Sequence, residues 1–152
     1  MIAYVLSSPC MRRVILDSNV LVSAFASGAG ASREVLRKVL QGKARPVISV
    51  PLYLEYEDVL ARPETRRRCA LRPAEQTRLF DAFLATTELV VVYYMWRPNL
   101  RDEGDNHVVE LAVAASDAPI VTYNRRDFRS GELSFPQLQI YTPAQWLNEI
   151  ED

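Results

Sequence analysis

Short β-branched apolar runs alternate along this chain with stretches whose apolar residues recur every three to four positions. Arg13 to Leu16 reads as a strand, and Val20, Leu21 and Ala24 place a helix over Asn19 to Phe25. The segment Ala26 to Ala31 breaks that helix; Ser32 then suits an N-cap for a helix over Arg33 to Gln41, with Gly42 as its stop. Pro46 to Val50 forms a second strand, and Pro51 opens a helix that ends near Arg62 and Pro63. Pro73 starts another helix through Thr86, which feeds a β-branched and aromatic strand over Leu89 to Tyr94. A helix from Asp102 or Glu103 through Ser116 carries acids in its first turn, as the helix dipole favours. Pro119 to Tyr123 and Leu138 to Tyr141 are the last two strands, and Pro143 begins a final helix toward Ile150. Near-continuous apolar strands separated by amphipathic helices predict a three-layer α/β/α sandwich, with a central parallel sheet of about five strands and right-handed crossovers. In such a sheet ligands gather at the carboxyl ends of the strands.

Four acids interrupt this pattern. Asp17 closes the run Val14-Ile15-Leu16, and Asp127 follows the strand that ends at Tyr123 across a short turn. Glu55 lies at helical spacing from Leu52 and Val59, and Asp105 at helical spacing from Val108, Val109 and Ala112. Carboxylates on inward faces are costly without a counter-charge, so several together point to a shared cation. Each has an ordinary reading as well. Asp17 suits an N-cap, Glu55 a first-turn acid paired with Arg62, Asp105 a helix-dipole acid and Asp127 a turn cap. The conjunction favours the metal site. His107, the only histidine, lies two residues past Asp105, a helical offset that assigns it to packing or solvent rather than to the acids.

A length of 152 residues fits one domain over residues 12–152, with residues 1–11 as an N-terminal extension. The extension has a short apolar piece without a basic start, which fits neither a signal peptide nor a membrane span. Cys10 and Cys69 form no metal or disulfide framework, so a reducing cytoplasm is the expected setting. The net charge of −1 announces no general affinity for nucleic acid, although a local patch can act alone. Arg62, Arg66, Arg67, Arg68 and Arg72 form such a cluster, suited to phosphates, to a partner or to a solvated helix face. Tyr93, Tyr94 and Trp96 are assigned to core or dimer packing.

The string Val14-Ile15-Leu16-Asp17-Ser18-Asn19-Val20-Leu21-Val22-Ser23 resembles the opening of PIN domains, a family of metal-dependent nucleases. Leu54-Glu55-Tyr56 with Val59-Leu60 is similar to that family's central helix. The stretch from Asp102 to Ala112, followed by Ile120-Val121-Thr122-Tyr123-Asn124-Arg125-Arg126-Asp127-Phe128, resembles its second half. The subgroup most similar is the VapC-like toxin component of toxin–antitoxin pairs. The resemblance implies a Mg2+- or Mn2+-dependent endoribonuclease holding one or two ions, a small antitoxin partner and a homodimer. Tyr53, Tyr94 and Trp96 are the aromatic residues available to such a dimer. By position Asp17, Glu55 and Asp105 match the three core acids. Asn124 stands where many relatives carry aspartate, so the fourth acidic role falls to Asp127. Ser18, Asn19 and Thr122 are candidate donors that orient these carboxylates, with Asn124 beside them. The competing expectation is a noncatalytic PIN-like module that binds RNA or protein.

Overall fold

The computed structural model describes residues 12–92, 106–129 and 137–151. Five parallel strands form one sheet in the order β3-β2-β1-β4-β5: β1 Arg13–Leu16, β2 Arg45–Ile48, β3 Glu88–Leu89, β4 Ile120–Val121 and β5 Ile140–Tyr141. The helices are α1 Ser18–Ala26, α2 Ala31–Leu40, α3 Val50–Ala61, α4 Pro63–Arg68, α5 Pro73–Thr86, α6 Asn106–Ala114, α7 Arg125–Arg129 and α8 Pro143–Glu151. They flank the sheet to give the expected sandwich. None among the described residues is long and apolar enough to cross a membrane.

The central strands β1, β2 and β4 are buried because they are apolar on both sides, whereas the edge strand β3 stays partly exposed. Val14, Ile15 and Leu16 are buried, as are Val47, Ile48, Ile120 and Val121. Burial of Val20, Leu21, Ala24 and Phe25 docks α1, each large side chain contributing roughly 1.5–3 kcal/mol. Helix α3 is capped by Ser49, whose hydroxyl accepts from the Leu52 N–H at 3.3 Å, and it ends where Pro63 forbids continuation.

The differences from the sequence expectations are local. Val50 is the first residue of α3 rather than the end of β2, because Ser49 is the stronger cap. Helix α2 begins at Ala31 behind Gly30, whose φ of 108° only glycine adopts easily, so Ser32 is not its cap. The arginine-rich stretch folds in part as the short helix α4, which the periodicity does not predict. Among the described residues β3 is only Glu88–Leu89: Val90, Val91 and Val92, predicted as strand, are not part of it, and Tyr93, Tyr94 and the start of the helix at Asp102 or Glu103 lie outside the described residues.

The chain lays down β1, β2 and β3 in one direction and then returns to place β4 on the other side of β1. The strand order therefore reverses between β1 and β4. The carboxyl ends of these two strands flank the crevice where doubly wound sheets bind ligands.

Candidate active site

Asp17 stands at that reversal. Its backbone N–H donates to the Val121 carbonyl at 2.9 Å, the last step of the β1–β4 ladder before the chain turns into α1. Its φ of −64° and ψ of 151° are those of an N-cap, and Oδ1 accepts from the Ser18 N–H at 2.8 Å. Oδ2 accepts from the Thr122 hydroxyl at 2.7 Å. The residue is only 3% exposed, yet it carries a carboxylate. Burial and the nearby charge of Glu55 raise its pKa, while the Thr122 and Ser18 hydrogen bonds and the charge of His107 oppose the rise. The N-cap reading and the functional reading of Asp17 hold together, since one oxygen starts the helix while the other faces β4.

Thr122 is itself fully buried and serves three neighbours. Besides donating to Asp17, its Oγ1 accepts from the Asn124 N–H at 3.0 Å and lies 3.4 Å from Asn19 Nδ2. The Asn19 Oδ1 accepts from the Tyr123 N–H at 3.4 Å. Asn19 and Asn124 thus meet at the Thr122 hydroxyl, while Ser18 reaches Asp17 directly through its N–H. Asn124 joins through its backbone, and its residue is otherwise exposed.

Glu55 projects from α3 toward the same place and is half-buried. Burial raises its pKa, but hydrogen bonds from His107 and the Ser18 side chain, with the charges of His107 and Arg62, bring it below the usual glutamate value. Beneath both acids Tyr56 is fully buried and donates its hydroxyl to the Leu16 carbonyl, while its ring meets Phe83 edge-on at 5.8 Å. Burial and the charges of Asp17 and Glu55 push that phenol well up, so it stays a neutral donor.

His107 corrects the sequence reading. Its Nε2 lies 3.4 Å from Glu55 Oε1, so it belongs to the acidic site rather than to solvent or inert packing. The described part of α6 begins at Asn106, so the two-residue helical offset from Asp105 does not decide where the ring points. Its buried Nδ1 has no hydrogen-bond partner among the described residues. One turn on, Glu110 is a buried acid on the same side of α6, and nothing in the periodicity separates it from an ordinary exposed helix acid.

The structure brings Asp17 and Glu55 together. Asp105 and the Asp127 side chain lie outside the described residues, and among the described ones no three histidine, cysteine, aspartate or glutamate side chains gather closely enough to hold an ion by themselves. Tyr94 and Trp96 also fall outside, while Tyr53 stacks on Phe80 at 6.3 Å within the chain. The arginine cluster divides. Arg62 and Arg68 line a groove of about 520 Å3 with Ser18, Asn19 and Tyr123. Arg66 lines a different hollow with Tyr53 and Phe80, and Arg72 lies 3.7 Å from Glu75 in the cap of α5. Arg67 is exposed and lines neither cavity.

The sequence profile of the PIN domain matches residues 13–126, three quarters of the chain and every strand but the last. The chain belongs to the PIN domain family. PIN domains are generally nucleases, and Asp17 and Glu55 both lie within the matched span. The fold is similar to a chain in the crystal structure of VapBC2 from Rickettsia felis bound to a DNA fragment from their promoter. That likeness has a TM-score of 0.58 at 15% identity and covers 86% of this PIN domain chain and 98% of the other. A search of curated proteins gives no significant match.

Proposed function

We propose that this PIN domain is a divalent-metal-dependent endoribonuclease, the toxin of a toxin–antitoxin pair, with Asp17, Glu55, Asp105 and Asp127 as its metal-holding acids. The observation that carries this reading is Asp17: a buried carboxylate, raised in pKa by desolvation and by Glu55, at the point of the sheet where ligands bind. The donor set suits Mg2+ or Mn2+, which take carboxylate oxygens. When bound, such an ion supplies Lewis acidity to the phosphodiester and makes water nucleophilic near neutral pH.

The chain's own residues prepare the site. Thr122 and the Ser18 N–H fix the rotation of the Asp17 carboxylate, leaving its remaining lone pairs for a cation. His107 and Ser18 keep Glu55 ionised, so that at least one carboxylate is charged before any ion arrives. Arg62 and Arg68 lie in the groove beside Ser18 and Asn19, where a phosphate backbone would pass. A small antitoxin, presenting an arginine or a short peptide to the acids, would compete with the cation electrostatically. The VapBC2 likeness supports this choice of partner through the fold alone. A homodimer in the cytoplasm completes the reading.

The test is cleavage of labelled RNA across a titration of Mg2+ and Mn2+, with Asp17→Asn beside the wild type. Metal-dependent internal cuts by the wild type and none by the folded variant are expected. Equal cleavage by both removes Asp17 from the mechanism, and absence of cleavage by either leaves a noncatalytic RNA- or protein-binding module.

A further inference from the structure

Tyr123 turns the usual habit of an exposed tyrosine around. Tyrosines at a surface commonly bury the ring and leave the hydroxyl wet. Here the residue is 49% exposed while its hydroxyl makes a short hydrogen bond with Oγ of the buried Ser32 on α2. The same hydroxyl lies 3.5 Å from Ser23 Oγ on α1, and the Tyr123 N–H is held by Asn19. The hydroxyl end of the side chain and the backbone that carries the ring are thereby both tied to the scaffold. The residue directly follows Thr122 and lines the groove that Arg62, Arg68, Ser18 and Asn19 also line. The periodicity carries no trace of this role, because Tyr123 reads there as the last residue of an apolar strand.

We propose that Tyr123 is a stacking platform for a nucleobase of single-stranded RNA at the mouth of the acidic site; the assignment rests on the ribonuclease reading. A ring fixed in advance loses little entropy when a base lands on it, and any base offers a π-face. Arg68, with Arg62 beside it even though paired to Asp58 at 2.7 Å, suits a polyanionic strand better than a peptide, even with Glu64 on the wall. Bases in an A-form duplex are already stacked and shielded, so a platform of this kind selects unpaired segments. Tyr123 is then a positioning residue that acts on substrate binding.

The experiment measures binding of a short labelled single-stranded RNA, and of the same strand with abasic nucleotides, to the full chain in EDTA. Wild type, Tyr123→Leu and Tyr123→Phe are compared after melting curves confirm folding. Tyr123→Leu is expected to weaken the intact strand by about 5- to 100-fold, and Tyr123→Phe far less. Abasic strands should weaken binding to the wild type and bring little further loss to Tyr123→Leu. With Mg2+ restored, KM rises for Tyr123→Leu while kcat holds. Equal binding of the intact strand by wild type and Tyr123→Leu overturns the stacking role and leaves the nuclease reading standing. So does equal RNA binding accompanied by weaker binding of an arginine-rich peptide, which assigns the ring to a protein contact. A wild type that neither binds nor cuts RNA overturns the underlying reading, and the platform with it.

Discussion

Thr122 donates its hydroxyl to Asp17 Oδ2 at 2.7 Å across the seam where the order of strands reverses. The register explains the meeting. Leu16 pairs with Val121, so the residues that follow β1 and β4 come side by side as the two strands end. One leaves a carboxylate there and the other the donor that holds it.

Replacing Thr122 with valine keeps the shape and removes the donor. A hydrogen bond to a charged group is worth about 2 kcal/mol, which for a domain of this size lowers the melting temperature by roughly 4–8 °C. Affinity for Mg2+ should fall about 10- to 100-fold, as measured by calorimetry or by metal-dependent stabilisation.

The two site acids have opposite effects on stability. The folded pKa of Asp17 is raised, so its contribution is fully present at pH below the ordinary aspartate value and is lost as pH rises through the raised value. The folded pKa of Glu55 is lowered, so its contribution is present above the ordinary glutamate value and is lost as pH falls through the lowered one. Without metal, Asp17→Asn should therefore melt above wild type at neutral pH, and the gap should close as the solution is acidified. Melting curves across acid to neutral pH check this, and a gap that stays constant with pH contradicts it.

Tyr56→Phe leaves the Leu16 carbonyl without its hydroxyl donor in a fully buried place. The expected cost is about 1–2 kcal/mol, read as a melting temperature roughly 2–8 °C lower, with the ring packing on Phe83 retained.

The arginines should separate in a salt titration of RNA binding. Arg68→Ala removes a cation from the groove and should reduce the slope of log affinity against log salt by about one. Arg66→Ala and Arg72→Ala should leave the slope unchanged, because one lines the hollow beside Phe80 and the other faces Glu75.

Much of the fold is legible in the chain because its central strands β1, β2 and β4 are too apolar to lie anywhere but inside a covered parallel sheet. Asp17 stands out for the same reason, as a charge at the end of Val14-Ile15-Leu16. Residues whose role depends on pairing across the sheet are harder to read. Ser32 has the composition of a helix cap, and only the arrival of Tyr123 from β4 shows that its hydroxyl is used elsewhere. His107 was hidden by a helical offset counted from a residue outside the described helix. Arg62 and Arg68 cannot be told from Arg66 in sequence, since the turn into α4 decides which of them face the groove.

The carboxylate that launches α1 is also the one proposed to receive an ion. Fraying of that helix and occupancy of the site are then a single equilibrium. Adding Mg2+ should slow amide hydrogen exchange in the first turn of α1, after Ser18, more than in α2 or α5.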